Sequence, residues 1–214
     1  MLKQTLSYIF LFGITALLSC THSAPKQHMI ADRANSVAAD SIAQQSIDSG
    51  FSKTLSMGAI SFKVSCANTS SLNRLVISPS GIVQKSVISE DIEGTITDAV
   101  VADLNSDAFP ELYCFANSAG SGSYGKVYAY SSNKNKSLTS IYLPELSDNK
   151  KFSTGYMGHD VFKINQNRLI RSFPIYLKDD PNVSPSGGTR TVTYKLKAGE
   201  AGWVLEVDNV KDSK

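Results

Sequence analysis

Two stretches of this chain carry residue types whose spacing could do chemistry, and they flank one short aromatic run. Asp103, Asn105, Asp107 and Glu111 stand at positions 1, 3, 5 and 9 of an oxygen-rich loop, with the carbonyl of Phe109 at position 7. Alternate side chains of a tight loop can converge several hard oxygens on one cation, so calcium is the candidate ligand. Ser106 stands where the sharp turn commonly has glycine, and no bidentate glutamate follows at position 12. Those departures favour a plain Asx-type turn, in which Asp103 and Asn105 accept hydrogen bonds from nearby backbone amides.

The second stretch, Gly120-Ser121-Gly122-Ser123-Tyr124-Gly125-Lys126-Val127, fits G-x-G-x-x-G-x-V, the spacing of dinucleotide and kinase phosphate loops. A dinucleotide site needs a helix directly after the loop, so that its first amides face phosphate. Here Lys126 to Tyr130 alternates as a strand, and the H-R-D and D-F-G motifs of kinases are absent. Nucleotide chemistry is therefore excluded. Ser121 and Ser123 lack the flanking glycines of a nucleophile elbow, and His159, beside a turn, is the only histidine after residue 51. Catalysis by the chain and a histidine-built metal site both fail on that shortage. What remains is a small loop bearing hydroxyls. Ser121 and Tyr124 carry donors, and Tyr124 adds a stiff aromatic face suited to insertion into a partner's cleft. The plainer reading of the same loop is a solvated hairpin tip.

The elements around these stretches are strands. Ala59 to Val64, Leu75 to Ile77, Ile82 to Ile88, Ile96 to Ala102, Leu112 to Ala116, Lys126 to Tyr130 and Leu138 to Leu143 alternate or are rich in β-branched and aromatic residues. Val161 to Ile164, Leu169 to Leu177, Thr189 to Leu196 and Trp203 to Val207 continue the series. The expectation is an all-β, antiparallel sandwich or barrel-like domain with little helix. Asp103 to Leu112 resembles one edge unit of a calcium-binding propeller, but a propeller needs several copies and the chain has one.

Before the strands lies an address. Lys3, the apolar stretch Tyr8 to Leu18, and Leu17-Leu18-Ser19-Cys20 predict a signal peptide over residues 1–19. Leu17, Ser19 and Cys20 resemble the bacterial lipoprotein cleavage box, which implies lipidation of Cys20 and attachment to a membrane, facing the periplasm from the outer membrane. Residues 20–50 read as the lipidated cysteine and a flexible tether, and residues 51–214 as the domain. A formal charge of +2 gives no electrostatic footprint for nucleic acid. Cys66 and Cys114 either pair as a disulfide in an oxidising compartment or sit apart as buried thiols.

At the glycine and serine loop the sequence resembles the periplasmic inhibitors of invertebrate-type (I-type) lysozyme. The resemblance covers most of Thr95 to Val207: TDAVVADLNSDAFPELYCFANSAGSGSYGKVYAY leads into GHDVF and then RSFPIYLKDDPNVSPSGGTRTVTYKL. It implies a β-sandwich, often dimeric, that inserts an S-G-x-Y loop into the active-site cleft of a lysozyme. The matching residues are Ser121, Gly122, Ser123 and Tyr124; apart from them Arg190, following Ser186-Gly187-Gly188-Thr189, either places a cation near an acidic partner as a secondary contact or braces the domain. Lysozymes cleave glycan with two acidic residues lining a groove, so hydroxyl donors placed there can bond those acids while the loop displaces substrate. The resemblance implies neither catalysis nor a cofactor. The competing reading is a non-catalytic envelope-binding lipoprotein, with a glycan or protein partner, stabilised by calcium through Asp103, Asn105, Asp107 and Glu111.

Overall fold

The computed structural model describes residues 50–214, so the signal peptide, Cys20 and the tether lie outside the described residues. Among the described residues, twelve strands and one short helix account for the regular structure, with a single 3-10 turn. The first four strands, β1 (Phe51–Met57), β2 (Ile60–Cys66), β3 (Leu72–Ser80) and β4 (Ile88–Glu93), form an antiparallel sheet in chain order. The remaining strands are β5 (Thr95–Ala102), β6 (Glu111–Asn117), β7 (Gly125–Ser132), β8 (Leu138–Tyr142), β9 (Val161–Asn165), β10 (Arg168–Pro174), β11 (Thr189–Ala198) and β12 (Trp203–Ser213). They make an eight-stranded sheet ordered β5-β6-β7-β8-β12-β11-β10-β9, in which only the short β8–β12 pairing is parallel. The helix α1 (Lys150–Ser153) follows a single 3-10 turn between β8 and β9.

One residue separates the two sheets. Gly94 lies between β4 and β5 at φ +90°, and a Cβ there would stand 2.0 Å from the Asn117 carbonyl oxygen. No side chain fits that corner, and its backbone is fastened by bonds from the Gly94 N–H to the Ser71 carbonyl and from the Asn73 amide to the Gly94 carbonyl. The second sheet can therefore fold back on the first within one peptide unit.

β6 is buried on both faces, and that determines the layering. Leu112, Cys114 and Ala116 pack with Phe62, Val64, Leu75 and Ile77 of the first sheet. Tyr113 and Phe115, on the opposite face, pack with Leu169, Phe173, Val192, Tyr194 and Leu205 inside the curl of the second sheet. The curl is tight enough that Phe115 stacks on Phe162 of β9, with centroids 5.7 Å apart. The eight-stranded sheet is thus nearly a barrel, with the four-stranded sheet lying against its outer face. Each buried Leu, Ile or Phe contributes about 1.5–3 kcal/mol of apolar transfer, so both clusters are needed to hold β6.

Cys66 and Cys114 both belong to the first of these clusters and both are free thiols, so of the two alternatives the structure contains the buried pair of small hydrophobes. Burial pushes the Cys114 thiol up to about 12, with the charges of Asp98 and Glu90 adding to it. A second difference concerns Ile82 to Ile88, expected as a strand, of which only Ile88 joins β4. Ile82 is buried, but Val83 and Val87 are exposed, and the Val83 and Gln84 amides bond the Asn135 and Lys136 carbonyls in the turn between β7 and β8. A run without alternation found its backbone partners in a loop. Conversely β1, Phe51–Met57, was not among the expected strands.

Candidate functional site

The glycine and serine loop crowns the β6–β7 hairpin. The ladder closes at Asn117 opposite Gly125, and the loop then fastens itself. The Ser118 N–H donates to the Tyr124 carbonyl (2.8 Å), and the Tyr124 N–H donates to the Ser118 hydroxyl (2.9 Å). At the tip the Ser123 N–H donates to the Gly120 carbonyl, with Ser123 at φ +44°. These cross-loop bonds leave the Ser121 side chain exposed and Tyr124 46% exposed, so a hydroxyl and a phenol project from one narrow tip.

A second segment braces the loop from beneath. Tyr156 to Asp160 leads into β9, and it meets the loop through backbone and side chain alike. The His159 N–H donates to the Gly122 carbonyl (2.7 Å), and the Gly125 N–H donates to the Asp160 carboxylate (2.7 Å). Gly158 sits at φ +91°, where a Cβ would lie 1.9 Å from the Gly122 oxygen, so the close approach requires glycine.

Asp160 is the centre of a buried ionic cluster. The Arg171 Nε donates to Asp160 Oδ1, the Arg171 Nη2 to the Tyr156 hydroxyl, and that hydroxyl to Asp160 Oδ2, each at 2.6 Å. The Asp160 side chain is fully buried and that of Arg171 only 5% exposed. The guanidinium also lies 5.0 Å from the ring centroid of Tyr156 and 5.4 Å from that of Phe162. Burial alone would lower the Arg171 pKa, but the hydrogen bond and charge of Asp160 outweigh it and raise it. Burial, followed by the bond to Asp160, raises the Tyr156 phenol. An ion pair this deep is tolerated because nearly every polar atom has a partner. Its reach to the surface is direct, because Tyr156 meets Tyr124 edge-on at 5.6 Å.

The expected residues divide into those the structure gathers and those it does not. Ser121, Gly122, Ser123 and Tyr124 form the tip. Arg190, read as either a partner contact or a brace, forks onto Asp212 (2.7 and 2.8 Å) and donates to the Phe152 and Thr154 carbonyls, with its side chain 11% exposed. It braces α1 against β11 and β12. His159 contributes its amide to the loop and stacks its ring on Tyr176, in line with a structural histidine. Tyr156, Asp160 and Arg171 were not singled out from the sequence. The signal for Asp160 and Arg171 was that GHDVF and RSFPIY stood inside the resemblance; Tyr156 lies outside both segments.

The acidic turn lies at the opposite end of β6. Asp103 accepts from the Asp107 and Ala108 amides, Asn105 from the Asp107 amide, and Asp107 from the Phe109 amide. Glu111, 1% exposed, accepts from the Leu104 amide at 2.7 Å. Carboxylate oxygens of Asp103, Asp107 and Glu111 lie within 4.8 Å of one another. Burial raises the Glu111 carboxyl to about 8, against the pull of the Leu104 amide and with the charges of Asp103 and Asp107 adding to it. The other oxygens already close the turn.

The candidate site is thus a protrusion. A groove of about 910 Å³ runs along β12 past Glu145, Phe152, Arg190, Val207 and Asp212, but no residue of the loop lines it. Residues 56–153 match the family described as periplasmic lysozyme inhibitor of I-type lysozyme. The matched stretch begins in β1, earlier than the resemblance seen from the sequence, and ends at α1, before the bracing segment. Neither a curated protein nor a solved structure matches the chain.

Proposed function

We propose, on the premise that over residues 56–153 the chain belongs to the family of periplasmic lysozyme inhibitors of I-type lysozyme, that it blocks such a lysozyme by inserting the Ser121–Tyr124 loop into the enzyme's cleft. The family implies inhibition in the cell envelope; the loop mechanism is our reading of the geometry. The observation that carries it is the braced tip: a loop closed by its own bonds, held at Gly122 by the His159 amide and at Gly125 by the carboxylate of a buried ion pair. A tip that is ordered before binding loses little conformational entropy on entering a groove, which favours a tight blocking complex. Ser121 and Tyr124 supply the hydroxyl donors that an acidic pair in a glycan-cleaving groove accepts, and Tyr124 fills apolar space that the sugar would occupy. In the same reading Cys20 carries the lipid that holds the domain at the outer membrane, where it protects the wall.

The test is lysis of bacterial walls by I-type and chicken-type lysozymes with the native chain, Ser121→Ala or Tyr124→Ala. Inhibition by the native chain should weaken at least tenfold in either variant, with the melting temperature unchanged. Inhibition that survives both substitutions removes the loop from the mechanism. No inhibition of either enzyme at micromolar chain redirects the reading to an envelope-binding lipoprotein.

A further inference from the structure

We propose that Met157 is a second contact residue of the lysozyme-binding surface, an apolar companion to Tyr124 presented by the bracing segment. The inference rests on the loop reading above and extends it to residues beyond the matched stretch, which ends at residue 153.

Met157 is 41% exposed and Tyr124 46%, and each is the exposed large apolar residue of its segment. The other exposed apolar residues lie on different supports; Leu72, for instance, is on β3 of the four-stranded sheet. What sets Met157 apart is its attachment. Gly122 lies between the two: a Cβ there would meet the Tyr124 ring at 2.5 Å and the Met157 carbonyl oxygen at 3.2 Å. The residues after Met157 lock the register, Gly158 against the Gly122 oxygen and His159 through its amide to the same oxygen. On the other side Tyr156 is held by Arg171 and Asp160. Met157 is therefore the exposed point of a segment fixed after it to the loop's own backbone and before it to the buried ion pair.

A partner that takes Ser121 and Tyr124 into a groove meets Met157 beside them. A glycan-cleaving groove suits that neighbour, since its walls present aromatic and apolar faces to sugar rings. An unbranched thioether adapts to such walls and makes favourable contacts with aromatic edges. Desolvating one large apolar side chain beside a central aromatic anchor also fits the way binding energy concentrates at interfaces.

The experiment measures the inhibition constant of the full chain against a lysozyme that the native chain inhibits, with Met157→Ala, Met157→Leu, Met157→Lys, Tyr124→Ala and Leu72→Ala. Met157→Ala should weaken inhibition about tenfold, Met157→Leu less than about threefold, and Met157→Lys more than alanine, while Leu72→Ala changes nothing. Melting temperatures should stay level, because the side chain is half in solvent. Met157→Ala and Met157→Lys at native potency, with Tyr124→Ala weakened, overturn the role of Met157 and leave the loop reading standing. Absence of inhibition by the native chain overturns both.

Discussion

The two ends of β6 are loops built on opposite plans. At Glu111 the acidic turn is closed chiefly by bonds between residues at most seven apart, with Asp103, Asn105 and Asp107 each capping amides two to five positions on, and its one side-chain bond from afar is an exposed one, from the Asn167 amide to the Ser106 hydroxyl. At Asn117 the glycine loop has local closure too, but its shape depends on Asp160 and His159, more than thirty residues later, and through Asp160 on Arg171. A turn closed by its neighbours can form wherever its sequence goes. A loop braced from afar holds its shape only while the domain is folded, and in return its tip can be left bare for a partner. The difference separates a structural corner from a binding tip, and it can be attacked from either end.

The largest effect should come from the brace. Arg171→Ala leaves the fully buried Asp160 carboxylate without its counter-ion, and breaking such a pair costs about 3–5 kcal/mol. Urea denaturation should show that loss, and any inhibition that remains should fall because Gly125 and Tyr156 lose their anchor. Arg171→Ala with native stability would mean that the two loops do not differ in the way described. Asp160→Asn should be costly for the same reason, since it leaves the buried Arg171 guanidinium uncompensated and turns an NH2 group toward donors.

How much of this was legible follows from the same contrast. The acidic turn was readable as an Asx-type turn because its bonds join residues adjacent in sequence, and residue type alone gives the acceptors. The strands from Ile96 to Tyr130 were readable because apolar residues alternate or run unbroken there. The tip was readable as a loop because Gly120, Gly122 and Gly125 interrupt two aromatic strands. Nothing local connects Asp160 to Gly125, because that bond exists only after the sheet curls and brings β9 and β10 over β6 and β7. Arg190 was legible only as an alternative, partner contact or brace, because Asp212, which it forks onto, is on the next strand. Ile82 to Ile88 has strand composition without alternation, and no neighbour in the sheet accepts it.

A middle-sized effect tests the burial of the acidic turn. The Glu111 carboxyl is raised from 4.5 to about 8, chiefly by burial. A group whose folded pKa lies above its unfolded value stabilises the fold fully below the unfolded pKa, and that contribution is lost as pH rises through the folded pKa. Stability from this residue should therefore be intact near pH 4 and decline between about pH 4.5 and 8. Glu111→Gln keeps an oxygen for the Leu104 amide and cannot ionise. Its stability should match the native chain in acid and exceed it above pH 8, by at most about 1.4 kcal/mol for each unit that the pKa is raised, as urea titrations across that range would show. Parallel pH profiles for the two proteins would mean that Glu111 is charged and compensated, and that the turn needs a cation after all.

The smallest effect is expected where bonds are local and exposed. Asp103→Ala removes the acceptor for the Asp107 and Ala108 amides, which water can then reach, so the loss should be about 1 kcal/mol, or roughly 2–4 °C in Tm. Calcium sharpens the point. A ligand that binds only the folded state must raise Tm, and a turn already closed by its own amides should show a rise of less than about 1 °C at millimolar calcium. A rise of several degrees, absent in Asp103→Ala, would turn Asp103, Asn105, Asp107 and Glu111 into a metal loop and make the acidic end of β6, like the glycine end, dependent on a partner from outside its own sequence. The two ends would then differ in what braces them, a cation at one and an ion pair at the other, and no longer in whether they stand alone.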